Sequence, residues 1–119
     1  MPYVDGFLLP LPKRNVKLYR RIAQAAGKIW RKHGALEYLE CVGDDLRNSM
    51  GMPFSRTVRL KPNETVVFSW IVFKSRTHRD SVNKKVMKDP RMLKIMEAAP
   101  MPFDLKRMAY GGFKVLVNL

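Results

Sequence analysis

Two acidic side chains, Asp5 and Glu40, stand among apolar and aromatic residues in segments of strand-like composition. Asp5 alternates with Tyr3 and Phe7, and Glu40 alternates with Tyr38. Because alternate residues of a strand share a face, each carboxylate should project from a mixed aromatic surface. Partial loss of water there raises a carboxyl pKa toward the range useful for acid–base catalysis. Asp5 and Glu40 are therefore the candidate catalytic residues.

Side chains predicted to share a face with these carboxylates are the candidate ligand-binding residues. They are Tyr3, Phe7, Tyr38 and Ser69. A structural role is the alternative for the two acids, since Asp5 or Glu40 could pair with Arg107 or Arg59 across the sheet, and structural ion pairs perturb pKa values too.

The residue types used for metal or thiol chemistry are scarce. His33 and His78 are the only two histidines, whereas a zinc or iron site needs three or four converging donors. His33 is expected at a helix C-terminus, where the dipole favours it, and His78 in solvent on a second helix. Cys41 is expected as a buried small residue and cannot form an internal disulfide. No metal, cofactor or thiol chemistry is predicted, and a reducing, cytoplasmic location is expected.

Several other residue groups have structural interpretations. Gly111 and Gly112 follow no phosphate-binding pattern and predict a bulge or close backbone approach within a strand. Asp44 and Asp45 favour a turn, and Trp70 is expected in the core. Five methionines are expected to fill space between the second helix and the sheet: Met87, Met92, Met96, Met101 and Met108.

The periodicity of apolar residues predicts alternating strands and helices. A helix over 15–33 is predicted by apolar residues three and four apart, with Asn15 as its N-terminal cap and Gly34 at its end. The remaining predicted elements are strands over 3–9, 36–43, 56–60, 65–73 and 107–117, and a helix from Ser75 or Thr77 to about 88 with a continuation over 90–96. The 56–60 and 65–73 strands are expected to form a hairpin.

This order describes two split β-α-β units, which is a ferredoxin-like α+β sandwich with an antiparallel sheet and two helices on one face. With 119 residues, one domain spanning 1–119 is expected. The strand face that carries Tyr3, Asp5 and Phe7 is too apolar for open water and contains acids that an ordinary core avoids. We therefore expect that face to lie away from the helices and to pair with a second copy.

Charge raises a third class of function. The chain has 23 Lys and Arg against 10 Asp and Glu, which is a formal net charge of +13. The sequence shows no apolar stretch long enough to cross a membrane, so no membrane partner is expected. Residues 13–32 carry eight cations and no acid, and 74–97 carry eight cations and three acids. Weak, salt-sensitive nucleic-acid binding is the expectation, and it is not the favoured function because no aromatic platform or helix-turn-helix signature accompanies the charge.

Six strings of the sequence carry a resemblance to a known family, in the same order and nearly from end to end. They are 3–7 (YVDGF), 33–36 (HGAL), 40–45 (ECVGDD), 67–70 (VFSW), 89–92 (DPRM) and 101–113 (MPFDLKRMAYGGF). These strings resemble the YbaA-like family of small bacterial proteins, a domain of unknown function. The resemblance implies a dimeric α/β-barrel in which two ferredoxin-like subunits pack their sheets around a lumen. The wider superfamily contains cofactor-free monooxygenases, haem enzymes and lactone isomerases, so membership transfers no reaction.

The sequence accordingly predicts a homodimer that binds a small molecule in the lumen between the two sheets, with Asp5 and Glu40 facing that lumen. A cofactor-independent oxygenase or isomerase is one form of this hypothesis. A structural or regulatory dimer without catalysis is the rival, because no catalytic motif identifies a reaction. The sequence alone is compatible with an enzyme and with a protein that catalyses no reaction.

Overall fold

The computed structural model describes residues 1–47, 50–98 and 100–119. Four strands and four helices follow one another as β1 Tyr3–Pro12, α1 Val16–Lys32, β2 Glu37–Val42, α2 Phe54–Thr57, β3 Glu64–Phe73, α3 Arg76–Lys88, α4 Pro90–Glu97 and β4 Ala109–Lys114. Short 3-10 turns at Lys13–Asn15 and Leu105–Arg107 precede α1 and β4. No helix in these ranges is long and apolar enough to span a membrane.

The four strands form one antiparallel sheet in the order β2-β3-β1-β4. The two longest strands, β1 and β3, pair along their full length at the centre, with Phe7 opposite Ser69 and Asp5 opposite Ile71. Because α1 and α3 both contact side chains from one side of this sheet, the architecture is the predicted ferredoxin-like α+β arrangement.

The two sides of the sheet differ from the prediction. The side chains of Asp5, Phe7, Glu40 and Ser69 point toward the helices, and we call this side the helix face. The other side, which we call the open face, carries Val4, Leu8, Leu39, Phe68, Trp70, Val72 and Phe113. The expectation that Asp5 and Glu40 face away from the helices is therefore wrong. Acids are accommodated under the helices because the helices themselves supply hydrogen-bond donors.

Local signals explain the end of α1 and the start of α3. Gly34 adopts a φ of 116° immediately after α1, as predicted, and Ser75 caps α3 by accepting a hydrogen bond from the His78 amide at 3.1 Å. Asn15 does not cap α1, because its side-chain amide instead donates to the Pro102 carbonyl at 2.8 Å. That bond fastens the start of α1 to the segment before β4.

The predicted hairpin arm over 56–60 is absent, and the chain forms the short helix α2 there. Pro53 precedes this helix, and Arg59 has a φ of 51° just beyond it, so the segment cannot continue as an extended strand. Phe54 of α2 packs edge-to-face on Phe68, which places the helix beside the open face. The neighbours of β3 are consequently β1 and β2.

The core lies between the helix face and the helices, in two clusters. One is built on Ile29, Ile71, Phe73, Val82, Val86 and Met92, and the other on Leu9, Leu11 and Val67. Of the five methionines expected as filler, Met92 is buried and Met108 packs on the second cluster, whereas Met87, Met96 and Met101 are exposed. Trp70 stands half-buried on the open face rather than in this core.

Candidate functional site

A cleft of about 710 Å³ runs between α1 and the β2 edge of the sheet. Its walls come from one side of α1 and from the ends of the neighbouring strands: Leu11, Val16, Tyr19, Arg20, Ala23, Gln24, Gly27, Lys28, Arg31, Tyr38, Glu40, Cys41, Val42 and Val67. Most of this lining is apolar, and the size is that of a pocket for a drug-sized molecule. The cleft opens here because β2 is the edge strand of the sheet formed by the described residues.

Three polar side chains meet on the inner wall of the cleft. The Tyr19 hydroxyl donates to Glu40 Oε1 at 2.7 Å, and the Tyr38 hydroxyl donates to Glu40 Oε2 at 2.6 Å. Both carboxylate oxygens are therefore occupied by phenol donors, one from α1 and one from the same strand. We call this group the carboxylate–tyrosine triad.

The two tyrosines of the triad keep their protons. Burial raises the pKa of Tyr19 and of Tyr38 far above the ordinary phenol value, and the charge and hydrogen bonds of Glu40 act in the same direction. Both phenols accordingly remain neutral donors at physiological pH. A substrate in the cleft would meet a carboxylate fixed in position by two hydrogen-bond donors.

A second cavity of about 130 Å³ lies deeper, between the helix face and the helices. It is lined by Phe7, Leu9, Tyr19, Trp30, Tyr38, Glu40, Ser69, Ile71, Phe103 and Met108. All three members of the triad border both the cleft and this inner cavity. The triad therefore stands at the junction of two apolar spaces, where a polar group can act on a mostly apolar ligand.

The position of Tyr38 depends on a glycine of α1. A Cβ placed on Gly27 would lie 2.6 Å from Cδ1 and 2.7 Å from Cε1 of the Tyr38 ring. Gly27 is buried, and Trp30, one turn further along the helix, has its ring centroid 6.0 Å from that of Tyr38. Only glycine allows α1 to approach β2 closely enough for this packing.

Gly27→Ala should be destabilising by about 1–3 kcal/mol, because relief of the overlap with Tyr38 outweighs the gain in helix propensity. Urea unfolding measures the change. In a Tyr38→Ala background the overlap is gone, so the same substitution should become stabilising by about 0.5–1 kcal/mol. A stabilising effect of Gly27→Ala in the parent chain would contradict the close approach.

Asp5 belongs to a different group of side chains. Its carboxylate accepts from Arg79 Nη1 at 2.8 Å and from Asn83 Nδ2 at 3.3 Å, both on α3. The Arg79 guanidinium carbon also lies 4.9 Å from the centre of the Tyr3 ring, and its Nη1 donates to the Tyr110 hydroxyl at 2.9 Å. Asp5 is 1% exposed and lines neither cavity. We call this set the Asp5–Arg79 group.

Of the six residues singled out from the sequence, the cavities therefore bring together Phe7, Tyr38, Glu40 and Ser69, whereas Tyr3 and Asp5 lie in the Asp5–Arg79 group. Sequence reasoning missed Tyr19. The spacing of Tyr19 in α1 marked it as part of the apolar face of that helix. Nothing in the local sequence indicated that the carboxylate of Glu40, 21 residues away, would accept a hydrogen bond from its hydroxyl.

The proposed ion-pair alternatives also find different partners. Arg107 pairs with buried Glu64 at 2.7 Å and donates to the Arg59 carbonyl, so neither arginine contacts Asp5 or Glu40. The hydrogen bonds from Arg107 lower the pKa of the Glu64 carboxyl.

The histidines and the cysteine lie outside the triad. His33 Nε2 is 2.8 Å from Asp89 Oδ2, and hydrogen bonds from Arg91 and then His33 lower the pKa of Asp89. His78 Nδ1 accepts from the Lys74 amide at 3.0 Å. Cys41 is exposed at the border of the cleft, so its expected burial is wrong. Within residues 1–47, 50–98 and 100–119, no three His, Cys, Asp or Glu side chains converge to hold a metal ion.

The glycine pair of β4 fits its structural interpretation. Gly112 lies opposite Asp5, and a Cβ there would come within 2.8 Å of Tyr3 Cε2. Gly112 therefore allows the Tyr3 ring to lie against the strand, which is the close approach expected from the sequence, whereas a Cβ on Gly111 would come no nearer than 3.6 Å to the Phe113 ring.

The sheet order, the helices on one side and the cleft beside α1 define a ferredoxin-like α+β protein. Solved structures with this fold include a dimeric ferredoxin-like protein from an uncultured marine organism, with a TM-score of 0.56 and 12% identity over all of both chains. A mutant of SnoaB, a cofactor-independent oxygenase from Streptomyces nogalater, has a TM-score of 0.54 and 14% identity over 99% of this chain and 96% of that one.

The family follows from sequence comparison. A family model described as "Protein of unknown function (DUF1428)" matches residues 2–105. The uncharacterized protein YbaA of Escherichia coli (strain K12) is 42% identical over 118 residues, which is 99% of each chain. The chain belongs to this YbaA-like DUF1428 family, as its sequence strings indicated.

Proposed function

We propose that this protein binds a mostly apolar small molecule in the cleft between α1 and β2, with the carboxylate–tyrosine triad as the polar point of contact. The observation that carries the proposal is the position of Glu40, held by two phenol donors where the cleft meets the inner cavity. A structural role alone does not require two apolar spaces on either side of such a group. This site replaces the lumen between two sheets as the place of binding.

Glu40 is the proposed proton acceptor if the protein is an enzyme. A substrate with an acidic C–H or O–H bond would transfer its proton to a remaining lone pair of the carboxylate. The Tyr19 and Tyr38 hydroxyls each donate their one proton to Glu40 before this transfer. Protonated Glu40 accepts more weakly, so one of these hydroxyls would turn from Glu40 and donate to the substrate oxyanion that results. Proton abstraction of this kind begins both isomerisation and cofactor-independent oxygenation. SnoaB, which has the same fold, is described as a cofactor-independent oxygenase, but the fold by itself selects no reaction.

Binding in the cleft predicts a specific response to filling its mouth. The probe is the neutral fluorophore N-phenyl-1-naphthylamine, whose emission rises in apolar surroundings. Gln24 borders the cleft and is exposed, so Gln24→Trp should block entry without disturbing the core, whereas Gln24→Ala should leave it open. Probe affinity should fall at least about tenfold in the first variant and stay within about twofold in the second. Thermal melting verifies that both fold.

Glu40→Gln is the companion variant for chemistry. It keeps the size of the side chain and removes the charge, so probe binding and melting should change little while any substrate turnover is lost. Unchanged probe binding in Gln24→Trp would overturn the cleft as the site. The protein would then be better described as a structural or regulatory dimer without a reaction.

Self-association is the second part of the proposal, and the partner we propose is a second copy packed on the open face. The strand residues of this face include Phe68, Trp70 and Phe113, and Phe113 is 59% exposed. An apolar sheet face of this kind is stabilised by a partner. The neighbour of the same fold that is described as a dimeric ferredoxin-like protein supports self-association.

Nucleic-acid binding is less well supported by the same surfaces. A single-strand site needs cations beside stacking aromatics. Among the described residues, the strand side chains of the open face include the aromatics but no cation, and the charged ones are the acids Glu37 and Glu64. The cations of α1 lie on the opposite side of the sheet. Weak nucleic-acid binding that falls with salt remains the expectation for the helices.

A single cysteine suits a reducing compartment, and the cytoplasm is the location we propose.

A further inference from the structure

We infer that the ligand of the cleft is an amphipathic anion: an apolar body with one carboxylate or comparable anionic group at its outer end. The inference rests on the proposed function, since it names the chemical class for the same cleft. It follows from the separation of apolar lining and positive charge along α1.

The inner part of the cleft suits an apolar body. Leu11, Ala23 and Val67 are buried and line it together with half-buried Val16. Burial of apolar ligand surface against such side chains contributes about 25 cal/mol per Å². The apolar part of a ligand should therefore occupy this end.

Positive charge is arranged along the outer edge of the cleft. Arg20, Gln24 and Lys28 are four residues apart on α1, so they form one row of about 12 Å along the helix, and all three border the cleft. Arg20 and Lys28 are exposed and take part in no ion pair within the described ranges. Two such cations can meet an anionic group at the mouth while both it and they stay partly hydrated.

The carboxylate inside sets the direction of binding. Glu40 lies on the inner wall, where a second negative group would be repelled in apolar surroundings. The ligand should thus enter with its apolar end first and leave its anionic group between Arg20 and Lys28. A neutral ligand would use the same walls but gain nothing from the two cations.

Two fluorophores with one aromatic skeleton test the inference. They are 8-anilinonaphthalene-1-sulfonate, which is anionic, and the neutral N-phenyl-1-naphthylamine, which lacks the sulfonate. The double variant Arg20→Gln/Lys28→Gln should weaken the anionic probe about fivefold to tenfold and leave the neutral probe within about twofold. The matched control is Arg21→Gln/Lys32→Gln, which removes the same charge from exposed positions of α1 that do not border the cleft. Both affinities should be unchanged in it.

The outcomes separate the two levels of the proposal. If Arg20→Gln/Lys28→Gln loses affinity for the anionic probe and Arg21→Gln/Lys32→Gln does not, the result supports an amphipathic anion as the ligand, provided that Gln24→Trp also abolishes binding of that probe. Equal losses in the two double variants would mean that only overall charge matters and would overturn the inference while leaving the cleft intact. If both probes bind Gln24→Trp as well as the parent chain, the cleft itself is not the site and the proposed function fails.

Discussion

Replacing Asp5 by Asn should lower the free energy of unfolding by about 3–5 kcal/mol, which is the expected cost of removing one partner of a buried ion pair. The Asp5 and Arg79 side chains are 1% and 13% exposed, and their oxygen and nitrogen are 2.8 Å apart. The substitution keeps the shape of the side chain but leaves the guanidinium without its buried counter-charge. Urea unfolding at neutral pH measures the loss.

A second acid on the same arginine provides the control. Asp80 also pairs with Arg79 at 2.8 Å, but its side chain is 62% exposed, so Asp80→Asn should cost no more than about 1 kcal/mol. Removing both buried charges in Asp5→Asn/Arg79→Gln should restore a large part of the stability lost in Asp5→Asn. A small effect of Asp5→Asn, combined with lost probe binding in the cleft, would instead assign Asp5 to ligand binding.

Phe68→Asp should convert the protein from a dimer to a monomer. Phe68 lies near the middle of β3 on the open face, packs against Trp70 and is 45% exposed in the single chain. A charge there would be buried without a partner if a second sheet covers it, and central aromatic residues of interfaces contribute about 2–4 kcal/mol. The dimer dissociation constant should rise at least about 30-fold, which sedimentation or light scattering measures.

Met87→Asp is the matched control for this variant, because Met87 is also 45% exposed but lies on α3, on the other side of the sheet. It should remain a dimer of about twice 13.8 kDa. If the parent chain is monomeric at micromolar concentration, the proposal of a dimer is overturned. A Phe68→Asp variant that stays dimeric would move the interface to another surface, and neither result would affect the cleft.

Local patterns predicted much of the fold. The change from period-two to helical spacing placed β1, α1, β2, β3 and α3, because the backbone conformation of a segment depends largely on its own residues. The end of α1 at Gly34 and the start of α3 at Ser75 were predicted for the same reason. The prediction of a strand over 56–60 was wrong because an alternation of polar and apolar residues over only five positions fits one helical turn as well as a strand.

The faces of the sheet could not be predicted in this way. In β1 and β3 both sets of alternate residues include large apolar side chains, so alternation alone does not say which set the helices cover. The acids in one of these sets argue against burial under the helices. That argument fails where a helix brings donors to the acid, as Arg79 and Asn83 of α3 do for Asp5.

The sequence likewise predicted only part of the candidate site. The sequence by itself determined that Glu40 and Tyr38 share a strand face with aromatic and small polar neighbours, because two-residue alternation is a local property of a strand. Only the tertiary structure decided that Tyr19 completes the triad, that Asp5 is paired with an arginine 74 residues away, and that a cleft opens beside α1. These features depend on how α1 and α3 lie across the sheet. The close approach at Gly27, which positions α1 on β2, is a contact between two elements and is therefore not a local property of either one.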